Sequence, residues 1–530
     1  MSALEEKDAA ASSQQPESPW RERFARLERL AANNEPAFAW AWLLVLLAVP
    51  TVCHLIASAR HTFLGIDCGY YASIATKVRD GYGFTTNVSI LHKADLSFPA
   101  PTSAYPLWPL MWGYMARIVP LELLARWMPV IFYLVAIVFC FLWIRALYPR
   151  PLFPRYLPGF QAAHVCAIVL AFSNFYVFTI YPEVEGLAYT LLFIAFWRFN
   201  RLFIRPSLLA GLEMGVWLGL IVMARPQLVP SSGVAFLVLG YAVVAIAAQR
   251  VRYAGMLAVC VLAFVATAAP WFLYTWSFAP DATVMQVLGF ASVRPNRVLS
   301  NLVGLQPATT ATEWLLDRLS SFPIAFAWSS PRSYEAVYAK FHYAAVLTLP
   351  AAIYFGVKEV ARDGVERLRR QICDPAFLPH LYAVGYGTAA FLALHTMHTG
   401  HWYFQRRHAL GSVVFFALML SYLLLFKHRV TKLLGALILA IGLMFAFDRL
   451  FVITADPIKG EYQETEAVGS WIAKQRRLEP DLVIAMRNPQ IVGYRFPEVG
   501  FHWFTDETTA EDFEQMAVVL GVDYVAIPKG

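Results

Sequence analysis

The sequence predicts an all-α polytopic membrane protein with about eleven transmembrane helices, juxtamembrane helices on the outer face and a small C-terminal α/β extracytoplasmic domain. Of its 530 residues, 58% are hydrophobic and only 15% are charged, which is more apolar than an ordinary soluble chain. Apolar windows of the ~17–25 residues that cross a bilayer recur along the chain. Basic residues fill every second loop between these windows, which predicts the orientation.

The predicted spans form one transmembrane domain, residues 38–453, after a partly disordered cytoplasmic segment at 1–37. The apolar windows lie near 38–58, 126–147, 161–181, 184–203, 207–224, 228–247, 254–276, 341–357, 379–396, 408–426 and 432–453. With the N-terminus in the cytoplasm, the basic loops face the cytoplasm. The large loops 59–125 and 278–340 then lie outside, and so does the C-terminus.

The last part of the chain, residues 454–530, differs from the apolar spans in its sequence pattern and predicts a small α/β periplasmic domain. Strand-like runs and amphipathic helices alternate there. They are a helix at Tyr462–Lys474, strands at Leu482–Ala485 and Phe501–Phe504, a helix at Ala510–Leu520 and a strand at Tyr524–Ile527.

Asp67 is an acid that follows the first span and opens an amphipathic juxtamembrane helix. The apolar and aromatic residues of that helix recur at helical spacing, and Gly81 and Gly83 end it. These residues are Tyr70, Tyr71, Ile74, Ala75 and Val78. A helix of this kind is expected to lie in the interface rather than to cross the bilayer. Asp67 could act as a catalytic base or simply cap the helix.

Other ionisable residues are predicted at the ends of the spans on the same outer face. They are Glu183 and Glu185 in the turn YPEVEG, Arg225 in MARPQ, and Arg406 and Arg407 in HWYFQRRHAL. Guanidinium groups bind phosphate through paired N–H donors, and a carboxylate can deprotonate a hydroxyl. The alternatives are that the glutamates are turn residues and that the arginines are snorkelling anchors.

Three other patterns carry less weight. His395, His398 and His401 lie three residues apart with no acidic ligand fixed beside them, so no metal site is favoured. The triplet Asn87-Val88-Ser89 is a formal glycosylation acceptor. The net charge of +7 is explained by the cytoplasmic loops. No basic cluster interleaved with aromatic residues predicts nucleic-acid binding.

Four stretches in this order resemble the GT-C superfamily of integral-membrane glycosyltransferases, which includes the protein mannosyltransferases and the lipid A aminoarabinose transferase. They are GIDCGYYASIATKVRDGYGF, AYPLWPLMWGYMARIV, GLEMGVWLGLIVMARPQLVP and QRRHALGSVVFF. The likeness covers about residues 38–453. The chain departs from the family at Cys68, where many relatives carry a second acid, so a metal-binding acid pair is not carried over to this position.

The resemblance implies an inverting hexosyl- or pentosyltransferase that uses a polyprenyl-phosphate sugar at the outer face of a bacterial inner membrane. Asp67 would take the proton from the acceptor hydroxyl. Arg225, Arg406, Arg407 and Lys77 would bind the donor phosphate. Glu183, Glu185, Tyr70 and Tyr71 would contact the sugar or the acceptor. No cofactor is expected, with a divalent metal as the less favoured alternative, and the acceptor is a glycan, a lipid or a protein.

Two other functions stay open. A transporter or flippase of a lipid-linked saccharide would need ionisable groups at mid-membrane and broken helices, whereas the charges here lie at span ends and no internal repeat is visible. An O-antigen ligase-type transferase with a pyrophosphate-linked donor would centre on arginines and a histidine in a late outer loop. The segment His395–His408 keeps that second alternative open.

Overall fold

A computed structural model describes most of the chain between residues 35 and 526 and shows a helical bundle topped at one end by a small sheet. The described stretches are 35–60, 66–89, 98–102, 104–152, 157–281, 374–398, 410–425, 429–437, 462–475, 482–486, 489–503 and 522–526, with a few single positions between them. The predictions for loop 278–340, the span 341–357, most of 432–453 and the helix 510–520 lie outside these residues.

The bundle contains eight long apolar helices within the described stretches. They are α1 (Glu35–Arg60), α4 (Leu121–Leu147), α7 (Val184–Ile204), α8 (Leu208–Ala224), α9 (Val229–Ala245), α10 (Arg250–Phe278), α11 (Leu378–His398) and α12 (Leu410–Leu425). Among the described residues, five helices are long and apolar enough to cross a membrane. The protein is therefore membrane-embedded, whereas the total of eleven spans stays a prediction.

The predicted span 161–181 is two helices rather than one. The helix α5 (Ala162–Ala171) stops at Phe172, and α6 (Asn174–Ile180) starts again after Ser173. The Ser173 hydroxyl donates to the Leu170 carbonyl at 2.8 Å and accepts from the Phe175 N–H at 3.1 Å. Because one side chain both closes the first helix and caps the second, the chain can bend here without leaving these groups unpaired.

Two short helices lie between α1 and α4, as the sequence predicts. The first, α2 (Ile66–Arg79), carries Asp67 in its first turn. It ends where the Tyr82 N–H donates to the Lys77 carbonyl at 2.9 Å and Gly81 adopts a φ of 88°, the pattern of a glycine C-cap. The second, α3 (Leu107–Met115), packs on α2. A Cβ at Gly113 would lie 2.7 Å from the Ala75 carbonyl oxygen.

The C-terminal residues form the helices α13 (Tyr462–Gln475) and α14 (Gln490–Gly493) and the strands β4 (Val483–Met486), β5 (Gly500–Trp503) and β6 (Tyr524–Ala526). The positions of α13, β4, β5 and β6 agree with the predicted elements to within about a residue or two, whereas α14 was not predicted.

The sheet has one member that the sequence did not predict. Strand β2 (Val88–Ser89), from the loop after α2, pairs in parallel with β5, giving the order β2-β5-β4-β6 with all strands parallel. Strands β1 (Thr85–Thr86) and β3 (Ala100–Pro101) form a separate antiparallel pair. The first large loop and the end of the chain therefore fold together.

Candidate functional site

The candidate residues that the structure describes lie at one end of the bundle. Contacts at that end include Trp108 Nε1 donating to the Pro182 carbonyl at 2.9 Å and Tyr274 donating to the Phe84 carbonyl. Contacts at the opposite end include the ring pair Phe203–Tyr253, at 5.8 Å between centroids. We call the end that carries α2, α3 and the C-terminal sheet the α2 end.

Asp67 lies in the first turn of α2 and is half-buried. A carboxylate at this position is favoured by the helix dipole, which also explains why an acid can be held at a membrane boundary. The neighbouring residues Cys68, Ala72 and Ala75 are buried in the core of the bundle. Asp67 is thus carried on a short helix whose one side is fixed against the membrane domain.

Glu185 and Arg225 form a buried ion pair at the same end. Glu185 lies in the first turn of α7, and Arg225 directly follows α8 in an extended backbone conformation. The guanidinium Nη1 donates to Glu185 Oε1. Their side chains are 0% and 5% exposed, respectively. The sequence placed the two residues on one face but assigned them separate ligands, so their direct pairing is a finding of the structure.

A hydrogen-bonded segment connects the Asp67 helix with this pair. Tyr70, on α2, shares a 2.5 Å hydrogen bond with Thr102. Three residues later, the Tyr105 hydroxyl accepts from Gln227 Nε2 at 2.8 Å, and Gln227 lies two residues after Arg225. Trp108, at the start of α3, binds the carbonyl next to Glu183. The contacts of Thr102, Tyr105 and Trp108 therefore connect α2 to both the glutamate turn and the segment that follows Arg225.

Sequence reasoning missed Tyr105 and Gln227 as members of this site. Both lie inside stretches that carry the resemblance to the GT-C superfamily, AYPLWPLMW and MARPQLVP. An uncharged polar residue two positions from a span-end arginine is the signal that could have identified Gln227.

Two tyrosines of the bundle lie beside the ion pair. Tyr189 on α7 and Tyr386 on α11 are both buried within reach of the Arg225 charge. Gly411, in the first turn of α12, lies against them: a Cβ there would be 3.2 Å from the Tyr386 hydroxyl and 3.8 Å from that of Tyr189. Arg406 and Arg407 precede α12 and lie outside the described residues.

The remaining predicted site residues divide between two surroundings. Tyr71 packs on the bundle core and Tyr70 on the apolar cluster of the C-terminal sheet. Burial raises the pKa of Tyr70 to about 12, so its hydroxyl keeps its proton at neutral pH. Glu183 directly precedes α7 and is half-buried.

Lys77 is placed differently from the phosphate ligand that the sequence predicted. Its ammonium donates to the Pro497 carbonyl at 2.7 Å and lies 4.6 Å from the centre of the Tyr82 ring. Burial lowers the pKa of Lys77, and the charges of Asp80 and Glu498 oppose that effect. In the described structure, Lys77 therefore contacts the C-terminal sheet region rather than the ion pair.

Within the part of the chain that the structure describes, no three His, Cys, Asp or Glu side chains converge in a way that could hold a metal ion. The side chains of His395, His398 and His401 lie outside that part.

No protein-family model matches the sequence, and no curated protein matches it by sequence. Solved structures do share its fold. One is the oligosaccharyltransferase of Archaeoglobus fulgidus in complex with zinc and sulfate, with a TM-score of 0.51 and 14% identity over 91% of this chain and 67% of that chain. Another is the same enzyme tethered to an acceptor peptide containing an NVT sequon, with a TM-score of 0.50 and 13% identity over 91% and 68%.

A third structure, ArnT from Cupriavidus metallidurans bound to undecaprenyl phosphate, gives a TM-score of 0.39 and 15% identity over 92% and 90% of the two chains. The chain spans only 64% of the archaeal enzyme in two further structures of it. The archaeal enzyme and ArnT are both GT-C membrane glycosyltransferases. The likeness to the archaeal enzyme confirms the predicted GT-C fold; at this identity it establishes the fold alone.

Proposed function

We propose that this protein is a membrane glycosyltransferase that moves a sugar from a polyprenyl-phosphate donor to an acceptor hydroxyl, with inversion and with Asp67 as the general base. The observation that carries the proposal is the linkage of the Asp67 helix to the buried Glu185–Arg225 pair through Tyr70, Thr102, Tyr105 and Gln227. A base and a cation are thereby held at one end of a GT-C bundle. The oligosaccharyl transfer named for the archaeal enzyme supports the same reaction class.

The proposed reaction is a single displacement. The Asp67 carboxylate removes the proton of the acceptor hydroxyl while the oxygen of that hydroxyl attacks the anomeric carbon of the sugar. The bond from that carbon to the phosphate oxygen breaks, and the lipid phosphate departs with the electron pair. A positioned general base contributes typically about 10²–10⁴-fold to the rate.

The departing phosphate needs a cation fixed before the reaction starts. Arg225 is held in one orientation by Glu185, and a guanidinium has five N–H donors, so binding a phosphate is compatible with the ion pair. A fixed donor costs no reorganisation during the reaction. We propose Arg406 and Arg407 as further phosphate ligands, because α12 starts three residues after Arg407 and contacts Tyr386 and Tyr189, the neighbours of Arg225.

Glu183 and Tyr71 remain proposed contacts of the sugar or the acceptor, at the same end of the bundle. We assign Lys77 to the C-terminal sheet instead of the phosphate, because its ammonium already donates to the Pro497 carbonyl. Tyr70 is assigned to the link with Thr102 for the same kind of reason. The proposed compartment is the outer side of a bacterial inner membrane, with the C-terminus outside.

Among the described residues, the broken span α5–α6 is a feature that a transporter would share. Transporters use such breaks to present charged or backbone groups to a substrate. Here the break falls at Phe172 and Ser173, and the Ser173 hydroxyl binds the adjacent backbone on both sides. The break is closed by its own hydrogen bonds, and we therefore favour the transferase.

The decisive experiment compares Asp67→Asn with Asp80→Asn in the purified protein. Both residues are acids of the same helix region, but Asp80 lies at its other end, paired with Arg79. With a polyprenyl-phosphate sugar and acceptor, we expect Asp67→Asn to lose at least about 100-fold of the release of free polyprenyl phosphate. We expect Asp80→Asn to keep the wild-type rate.

Elution as a single species and an unchanged melting temperature would show that Asp67→Asn is folded. A folded Asp67→Asn protein with the wild-type rate would exclude Asp67 as the base. Release of product only from a pyrophosphate-linked donor would favour the ligase alternative.

A further inference from the structure

One face of α2 is held by the C-terminal sheet region at three points, each one turn apart. Residues four apart lie on the same face of a helix, and the three points are Gly69, Ser73 and Lys77. A Cβ at Gly69 would lie 2.1 Å from the Gln490 carbonyl oxygen, so the two backbones are in direct contact. Ser73 donates to Asn87 Oδ1 at 2.8 Å, and Lys77 donates to the Pro497 carbonyl at 2.7 Å.

Asn87 is the centre of this contact. Its side-chain nitrogen lies 3.0, 2.9 and 2.9 Å from the carbonyl oxygens of Gly493, Phe496 and Val499. The backbone carbonyl of Asn87 accepts from the Phe501 N–H at 2.9 Å. The residue is 1% exposed. One amide therefore joins α2, through Ser73, to the segment that leads from α14 into β5.

The same contacts show whether the triplet Asn87-Val88-Ser89 is a glycosylation site or has a structural role. A glycan would be attached to the side-chain nitrogen of Asn87, the atom that contacts three carbonyl oxygens. Val88 and Ser89 form β2 and pair with Phe501 and His502. The triplet thus has a structural use, and the amide is not accessible to a modifying enzyme in the folded protein.

The opposite side of α2 rests on the membrane domain. Cys68, Ala72 and Ala75 are buried in the bundle core, and α3 packs against Ala75 and Val78. The helix α2 is therefore held between the C-terminal sheet region and the membrane domain. The position of its first turn depends on the contacts with both. Asp67 lies in that turn, two residues before Gly69.

We propose that Asn87 is a positioning residue that sets the place of the Asp67 carboxylate by fixing α2 to the C-terminal sheet; this inference rests on the proposed function of Asp67. Small displacements of a catalytic group are costly, since about 1 Å can lower a rate by 10²-fold. The C-terminal sheet thereby takes part in the reaction without contacting the reacting atoms.

A double-mutant cycle tests this role. Asn87→Asp keeps the shape of the side chain but removes its N–H donors. Single-turnover rates of sugar transfer, normalised to folded protein, are measured for wild type, Asn87→Asp, Asp67→Asn and the double variant. We expect Asn87→Asp to lower the rate about 10–100-fold in the wild-type background and less than about twofold in the Asp67→Asn background. An equal loss in both backgrounds would overturn the proposal, because a general loss of structure would act in both.

Three further variants guard against misfolding and against glycosylation. Ser89→Ala destroys the triplet but keeps the Asn87 amide, and we expect the wild-type rate; a loss matching that of Asn87→Asp would overturn the proposal. Gly69→Ala separates α2 from Gln490 at an independent contact and is expected to repeat the Asn87→Asp pattern. Gly469→Ala is its matched control in α13, where the nearest atom would be 3.8 Å away.

The cycle also separates the two levels of inference. A wild-type rate for Asp67→Asn would end the proposed function. A large loss in Asp67→Asn together with a wild-type rate in both Asn87→Asp and Gly69→Ala would end only the positioning role.

Discussion

The buried Glu185–Arg225 pair is the most consequential single contact of the site. Both side chains are almost completely excluded from solvent, so each charge is stabilised by the other. Removing one partner of such a pair typically costs about 3–5 kcal/mol, whereas replacing both by apolar residues can be neutral. This asymmetry allows a structural role to be separated from a chemical one.

We expect Glu185→Gln to destabilise the protein by about 3–5 kcal/mol, because the buried Arg225 guanidinium loses the charge of the Glu185 carboxylate. The double variant Glu185→Leu with Arg225→Met should regain most of that loss and still transfer no sugar. Thermal unfolding in detergent and release of polyprenyl phosphate measure the two effects. A wild-type rate of sugar transfer by the folded double variant would show that the ion pair takes no part in the reaction.

The sequence predicted that the individual site residues share one end of the spans, but it did not predict which of them contact each other. The residues Asp67, Glu185 and Arg225 could be placed at one end of the spans because hydropathy fixes where each span ends. The Glu185–Arg225 contact joins positions forty residues apart, and no local pattern encodes such a pairing. Asn87 was noticed only as a formal acceptor triplet, since its three carbonyl partners come from the far end of the chain.

At the scale of elements, α8 and α10 pack closely along a row of three glycines. Gly211, Gly215 and Gly219 are spaced four apart along α8 and all face α10. A Cβ at Gly215 would lie 2.1 Å from the Cys260 carbonyl oxygen. Small residues at this spacing let membrane helices approach closely. Arg225 directly follows α8, so the packing of α8 on α10 determines the position of Arg225.

We expect Gly215→Ala to force α8 and α10 apart and to cost about 1–3 kcal/mol, the usual range for overpacking. Gly233→Ala on α9 is the matched control, since nothing lies within 4 Å of a Cβ there. Melting temperature and transfer rate should both fall for Gly215→Ala and stay unchanged for Gly233→Ala. Equal behaviour of the two variants would contradict the close packing of this seam.

Element positions followed the sequence closely wherever hydropathy and glycine caps act locally. The bounds of α2 and α7 agree with the predictions to within a residue or two. The break between α5 and α6 was missed because Phe172 and Ser173 do not interrupt the apolar run. A serine that binds backbone on both sides is visible only once the helices are in place.

At the scale of the whole molecule, the least predictable feature is the sheet. Its edge strand β2 has two residues and comes from the loop after α2, about four hundred residues before β5. A run of two residues is too short to be recognised by alternation. The sheet nevertheless joins the first outer loop to the C-terminal domain, and the position of Asp67 depends on that union.

The distribution of arginines over the two ends of the bundle predicts an orientation in the membrane. Arg198, Arg201, Arg205, Arg250 and Arg252 lie at the end opposite to α2. Lysine and arginine are retained preferentially on the cytoplasmic side. The α2 end, with Asp67 and the C-terminal sheet, is therefore expected outside the cytoplasm, where a lipid-linked sugar would meet its acceptor.

Single cysteines at the two ends test this orientation. Tyr82 is 60% exposed after α2, and Val251 is 86% exposed at the start of α10. Both variants are made in a background with Cys373→Ser, and the other five cysteines are buried. In intact cells, we expect a membrane-impermeant maleimide to label Tyr82→Cys and to leave Val251→Cys unlabelled until the cells are permeabilised. The reverse pattern would place Asp67 in the cytoplasm and would exclude transfer on the outer face.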